Sequence, residues 1–245
     1  MSPARSLVVG VLGGMGPDAT VDFFAKLVAA THAERDQDHL RVLIDNDPTV
    51  PDRTAAIRGT GPSPAPRLAA MARGLIAQGA EVLVMPCNTA HAFADAIVAA
   101  AGDVPFLDLI ETTVAATRTR LPDARAVGLL ATDGTLDGRI YHDAYAAAGF
   151  EALAPAVDDQ RRVMAAIYAV KRGHAGAEDA AALRDVAARL AAAGAEAVVA
   201  ACTEVPLLLR DGDVVVAGRS VPVIASTDEL VARTVVVATA GGRGG

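Results

Sequence analysis

Short runs of apolar, often β-branched residues alternate along the chain with Ala-rich amphipathic stretches. The strand-like runs are Leu7–Leu12, Val42–Asp45, Glu81–Met85, Val104–Leu107, Ala126–Leu130, Ala197–Ala200 and Val221–Ala225. Helix-like stretches follow most of them, at 17–33, 66–78, 89–101, 109–120, 137–148, 158–171, 177–193 and 226–239. The strand runs are too uniformly apolar to have one wet face. They suit parallel strands covered by helices on both sides. The fold class predicted is α/β.

The pattern occurs twice. GAEVLVMPCN (79–88) aligns with GAEAVVAACT (194–203), which places Cys87 against Cys202. Upstream, VGVLGGMGP (9–17) aligns with VGLLATDGT (127–135), and downstream VPFLD (104–108) aligns with VPVIA (221–225). Each match alone is weak, but the three keep their order at nearly constant offset. The simplest account is two pseudo-symmetric lobes, each a mostly parallel sheet flanked by helices, with the active site in the cleft between them. Numbering symmetry assigns 1–108 plus 213–245 to lobe one and 109–212 to lobe two.

Composition narrows the partners. A chain of 245 residues, 52% hydrophobic and 21% charged, is long and apolar enough for a globular core. A net charge of -7 and a pI near 5.2 argue against nucleic acid, whose phosphates need a basic surface. Aromatics are 3%, without Trp, so base-stacking platforms are scarce. Mean hydropathy is +0.34, supplied largely by Ala and Val. No apolar run reaches the roughly 18 residues of a membrane span. The first residues lead straight into LVVGVL without the longer apolar region of a signal peptide. A cytoplasmic protein with reduced thiols is expected.

Ligands of open α/β sheets bind beyond the C-terminal strand ends, where Cys87 and Cys202 fall. Two buried core cysteines are the alternative. Pro86, Asn88 and Thr89 around the first thiol, and Thr203 and Glu204 after the second, favour a cleft. A helix start directly after each cysteine is expected to lower its pKa from roughly 8.5. One thiolate acting as base and an opposed thiol acting as acid invert a carbon centre with no cofactor. The developing charge needs preorganised donors. Asn88, Thr89 and Thr203 are candidates, as is the turn bearing Thr132, Gly134 and Thr135, suited to a carboxylate.

Two cations attract attention. Arg53 lies in the long Pro-rich stretch 47–66 and is either a carboxylate clamp or an ordinary exposed Arg. Lys171, one of two lysines among 22 basic residues, is either a ligand group or a solvated helix end. Gly14 to Ala19 fits a dinucleotide fingerprint, but Asp36 and Asp38 precede the next strand instead of ending it. A tight turn with Pro17 opening a helix is the reading, with the Met15 backbone lining the cleft. The five histidines show no ligand spacing, and two cysteines so far apart make neither a zinc site nor a redox pair. No metal and no cofactor are expected. His91 reads as a supporting residue. Asp18 and Glu204 each have two readings left open, a site contact or a favourable charge at a helix start. The tail GGRGG (241–245) reads as disordered.

Taken together, GVLGGMGPDAT (10–20), NDPTVPDRTAAI (46–57), MPCNTAH (85–91), GLLATDGT (128–135), IYAVKRG (167–173) and ACTEVPLLL (201–209) resemble the aspartate/glutamate racemase family, in particular its cofactor-independent aspartate racemase branch. The likeness extends over residues 6–239. It implies two α/β lobes, each giving one acid/base cysteine, here Cys87 and Cys202. Asn88, Thr89 and Ala90 match a substrate-binding loop, and Arg53 and Lys171 match positions that hold the substrate's carboxylates. The implied reaction is racemisation of an acidic amino acid, aspartate before glutamate, in a homodimer. A broad-specificity amino-acid racemase and a diacid isomerase or decarboxylase on the same scaffold are the enzymatic alternatives. A non-catalytic binding module and a thiol redox protein are the others.

Overall fold

The computed structural model describes residues 6–240, so the 241–245 tail lies outside the described residues. Two four-stranded, all-parallel sheets form the frame. The first contains β1 (Val9–Gly13), β2 (Val42–Asn46), β3 (Val82–Val84) and β4 (Phe106–Leu107), in the order β2-β1-β3-β4. The second contains β5 (Ala126–Ala131), β6 (Glu151–Leu153), β7 (Ala197–Ala201) and β10 (Val223–Ala225), in the order β10-β7-β5-β6. A small antiparallel pair, β8 (Val215–Val216) and β9 (Arg219–Ser220), precedes β10. The helices are α1 (Pro17–Ala30), α2 (Arg53–Ile57), α3 (Ala65–Ala77), α4 (Ala94–Ala101), α5 (Leu109–Arg120), α6 (Asp133–Asp137), α7 (Ile140–Ala147), α8 (Val157–Lys171), α9 (Ala177–Ala192) and α10 (Ser226–Ala240). Among the described residues no helix is long and apolar enough to cross a membrane.

The two sheets have the same strand order once β1, β2, β3 and β4 are matched with β5, β6, β7 and β10. That match places β10 differently from the numbering symmetry. Numbering symmetry assigns 213–245 to lobe one, but Val223–Ala225 pairs in register with Val198–Ala200 of β7. β10 is the second lobe's copy of β4, so hydrogen bonding overrides the count.

Side chains of each strand alternate between two layers. Val9, Val11, Val82 and Val84 join Val127, Leu129, Ala197 and Val199 in one central core with residues of α1, α5, α7 and α10. The opposite faces pack outward: Leu12 and Leu83 meet Leu68, Met71 and Leu75 of α3, while Val198 and Ala200 meet Val163 and Ile167 of α8 and Leu183 and Val186 of α9.

The repeated Gly-Ala-Glu has a structural cause in both lobes. Gly79 and Gly194 follow α3 and α9 at positive φ, +100° and +113°, where a side chain would be strained. Ala80 and Ala195 then pack against the bare Cα of Gly10 and Gly128, where a Cβ would come within 2.7 Å and 3.3 Å of them. Glu81 accepts the Val8 amide at 2.9 Å, and Glu196 accepts the Arg125 amide at 2.5 Å, so each carboxylate anchors the start of its lobe's first strand.

Several elements differ from the sequence expectation. The stretch 89–101 is a 3-10 turn, Thr89–Phe93, followed by α4. A 3-10 turn, Val205–Leu207, also follows Cys202, so no α-helix starts directly after either thiol. The stretch 137–148 is interrupted by Arg139 at φ 52°, which separates α6 from α7. The Pro-rich segment 47–66 contains α2, capped by the Asp52 side chain, which accepts the Ala55 amide at 2.7 Å. Strand β6 has too few apolar residues to announce itself: it is a sheet edge with Glu151 exposed.

Candidate active site

Residues from both lobes line one cavity at the C-terminal ends of the strands, among them Met15, Arg53, Cys87, Asn88, Thr89, Thr132, Lys171, Cys202, Thr203 and Glu204. Its volume is about 110 Å³. Clefts for drug-sized ligands run from roughly 300 Å³ upward, so this one suits a molecule of few heavy atoms.

Both thiols stand at the ends of central strands, Cys87 past β3 and Cys202 past β7, at 5% and 4% exposure. The core and cleft readings therefore both describe part of the truth. Each cysteine packs into the outer core of its lobe and also lines the cavity. The expectation that their pKa values are depressed fails. Burial pushes the Cys87 thiol up, opposed by Arg53, the Ala90 amide and Lys171. Burial pushes Cys202 further, reinforced by the Glu204 carboxylate and opposed by Lys171. Desolvation of a charge outweighs the few oriented amides of a 3-10 turn.

The two lobes treat their thiols differently. Two residues after Cys202 stands Glu204, 3% exposed. Cys202 Sγ donates to Glu204 Oε2 at 2.9 Å, and Lys171 Nζ donates to Glu204 Oε1 at 2.5 Å. Thr203 Oγ1 also reaches Oε2, at 3.3 Å. Burial pulls the Lys171 ammonium down, but Glu204 and the two cysteines more than reverse this, and its pKa is raised. Two residues after Cys87 stands neutral Thr89. Its hydroxyl meets those of Thr132 at 2.8 Å and Thr135 at 2.9 Å, and these two lie 3.0 Å apart. Thr132 and Thr135 open α6, where Thr132 caps the helix. The three buried hydroxyls thus seam one lobe to the other.

Among the described residues on the cavity wall, two buried donors have no protein partner, Asn88 Nδ2 and Arg53 Nε. Asn88 Oδ1 is held by Tyr141 Oη at 2.6 Å, and Arg53 Nη1 is held by the carbonyls of Val50 at 3.0 Å and Pro51 at 3.1 Å. Both residues line the cavity, so each has donor capacity left for a ligand there. Ala90 differs from its expected place: it is fully buried and off the cavity wall, and its amide serves Cys87. Thr135 likewise stands behind the wall.

His91 is a supporting residue. Leu109 N–H donates to its Nε2 at 3.1 Å, so the proton is on Nδ1, which donates to the Cys87 carbonyl at 2.8 Å. Burial lowers its pKa and keeps the ring neutral. Asp18 is exposed in the first turn of α1. Among the described residues no three His, Cys, Asp or Glu side chains converge as metal ligands.

Sequence reasoning missed Asp52, Thr54, Met164, Ile167 and Tyr168 on the cavity wall. Positions 164, 167, 168 and 171 share one helical face, so the 3.6 period from Lys171 pointed to three of them.

Two matched α/β lobes each give one thiol to a small polar cleft. The profile of the Asp/Glu/hydantoin racemase family matches residues 12–234, and the chain belongs to that family and is, with it, an isomerase of the racemase type. The structure is similar to the aspartate racemase of Picrophilus torridus, with TM-score 0.81, 31% identity, and 95% and 94% of the two chains covered. It shares its fold with the glutamate racemase of Francisella tularensis bound to D-glutamate, at TM-score 0.62 and 17% identity over 94% of this chain and 80% of that one. In sequence it is 35% identical to the glutamate racemase of Roseiflexus sp. over 146 residues, 58% of this chain and 50% of that protein. The chain spans about half the length of that relative.

Proposed function

We propose that the enzyme racemises a small acidic amino acid, aspartate first and glutamate second, with Cys87 and Cys202 as the two acid/base groups and without pyridoxal phosphate or a metal. The observation that carries this reading is that both thiols line one cavity together with Arg53 and Lys171. A substrate with two carboxylates needs two cations, and inversion needs two proton-transfer groups. The likeness to the Picrophilus torridus aspartate racemase supports aspartate over glutamate.

In the proposed cycle Cys87 acts first as base. It has Arg53 and the Ala90 amide beside it, while Cys202 is held as a thiol by Glu204. The Cys87 thiolate takes the α-proton, and the electron pair of the C–H bond passes to the α-carbon and its carboxylate. Arg53, Lys171 and the free Asn88 amide stabilise that charge. Cys202 then gives its proton to the opposite face. One C–H bond breaks and one forms, and the enzyme is left with the thiolate on Cys202. The reverse substrate resets it. Thr89, Thr132, Thr203 and the Met15 backbone complete the cradle. On the composition and the family likeness we also propose a cytoplasmic homodimer.

The test is incubation of the purified enzyme with single enantiomers of aspartate and glutamate in D₂O, without pyridoxal phosphate. The expected result is α-deuterium and the opposite enantiomer. Cys87→Ser and Cys202→Ser should each abolish racemisation, while either keeps one-way exchange. Absence of exchange with both diacids, and with every other common amino acid, overturns the reading.

A further inference from the structure

Arg53 sits on an element that cannot hold itself. Helix α2 has five residues, none of them buried, and a helix of that length has no stability of its own. Its neighbours are the turn after Cys87 and, on the second lobe, α6. Contact with α6 is close. A Cβ added to Gly134 would come 2.4 Å from Thr54 Oγ1 and 3.0 Å from Thr54 Cα, next in chain to Arg53. Glycine is disfavoured inside a helix, yet here its bare Cα is what lets the two helices meet. At the far end of α2, Arg58 Nε donates to Asp137 Oδ2 at 2.7 Å, and Arg58 Nη2 lies 3.6 Å from Asp133 Oδ2. The other oxygen of Asp133 accepts from Gln160 Nε2 at 2.8 Å, on α8, the helix that ends in Lys171. One polar chain therefore links the helix bearing Arg53 to the helix bearing Lys171.

We propose that the second lobe holds Arg53 over the cleft through this clasp, with Gly134, Arg58 and Asp137 as positioning residues for its guanidinium. The proposal rests on the reading of Arg53 as a carboxylate-binding group. Gly134 is its dominant member, because a backbone approach tolerates no side chain. The Arg58 pairs are about half exposed, and ion pairs of that kind contribute little and are screened by salt.

The experiment compares wild type, Gly134→Ala, Gly134→Ala with Thr54→Ala, and Arg58→Ala. Three readouts are taken: amide hydrogen exchange over residues 55–60, succinate affinity by calorimetry, and KM and kcat for aspartate. Gly134→Ala should speed exchange in 55–60 at least tenfold, with the amides of β1 and β7 unchanged. It should weaken succinate at least tenfold and raise KM more than it lowers kcat. Adding Thr54→Ala removes the 2.4 Å clash and should recover at least threefold of the lost exchange protection. Arg58→Ala should speed the same amides two- to fivefold at low salt and less at 0.5 M salt. The proposal is overturned if folded Gly134→Ala keeps exchange within twofold of wild type, or loses protection with succinate affinity intact. Should Gly134→Ala not fold, unchanged exchange in Arg58→Ala overturns it. Failure of the racemase reading is separate: it appears in the wild type, as neither racemisation nor succinate binding, and exchange alone then decides the clasp.

Discussion

The thiol of Cys202 hydrogen-bonds Glu204 at 2.9 Å, whereas the position equivalent to Glu204 beside Cys87 is held by Thr89. An ionised carboxylate disfavours a thiolate next to it, and a threonine hydroxyl does not. The near-symmetric lobes therefore enclose an unsymmetric pair of thiols, with Cys87 the easier to ionise.

Glu204→Gln should make Cys202 more acidic. Since each pKa unit is tenfold in thiolate fraction, alkylation of Cys202 by iodoacetamide at pH 8 should rise several-fold, while Cys87 changes less. Residue-resolved mass spectrometry of the two peptides reads this directly. Equal rates in variant and wild type would mean that the Glu204 contact does not govern the thiol.

Tyr141→Phe removes the hydroxyl that holds Asn88 Oδ1. A buried acceptor left without its donor costs about 1–3 kcal/mol. The Asn88 amide is then free to turn away from the cavity. The expected outcome is a KM for aspartate, the proposed substrate, raised at least about fivefold, the lower end of that energy, with a modest drop in urea midpoint. An unchanged KM would show that Asn88 needs no such holder.

His91→Ala orphans both the Leu109 amide and the Cys87 carbonyl and empties the space stacked on Phe106. Loss of about 2–4 kcal/mol in chemical denaturation is expected from the cavity and the unpaired groups. The ring's folded pKa lies below the ordinary 6.5. Its contribution to stability is therefore complete above pH 6.5 and is lost as pH falls through the folded value. The acid limb of the wild-type stability profile should flatten in His91→Gln.

At high pH the sign reverses. Burial raises Cys87, Cys202, Tyr141 and Tyr145 above their ordinary values. In the fold these groups ionise less readily than in the unfolded chain. Their stabilisation is complete below the unfolded values, 9.0 for the thiols and 10.0 for the tyrosines, and declines above them. Stability measured by urea titration should fall steadily from pH 9 upward, less so in Cys202→Ser.

Much of the frame was legible because parallel strands buried on both faces leave uninterrupted apolar runs. All seven predicted strands exist, and the VGVLGGMGP and VGLLATDGT repeat corresponds to β1 and β5. The edge strand β6 was invisible for the converse reason: Glu151 faces water. Helix α2 was hidden because Pro-rich composition reads as loop, while its Asp52 cap and its contact with Gly134 act at short range and long range together.

By itself the sequence determined the α/β class, the twofold plan and the identity of the two thiols, because periodicity and repetition are one-dimensional properties. It also singled out Arg53 and Lys171 by residue type and setting. Only the tertiary structure decided that β10 completes the second sheet, that both thiols are raised in pKa, and that Glu204 bridges Cys202 and Lys171. Strand pairing, desolvation and contacts between residues 33 apart depend on which groups meet in space, and no local pattern along the chain encodes that.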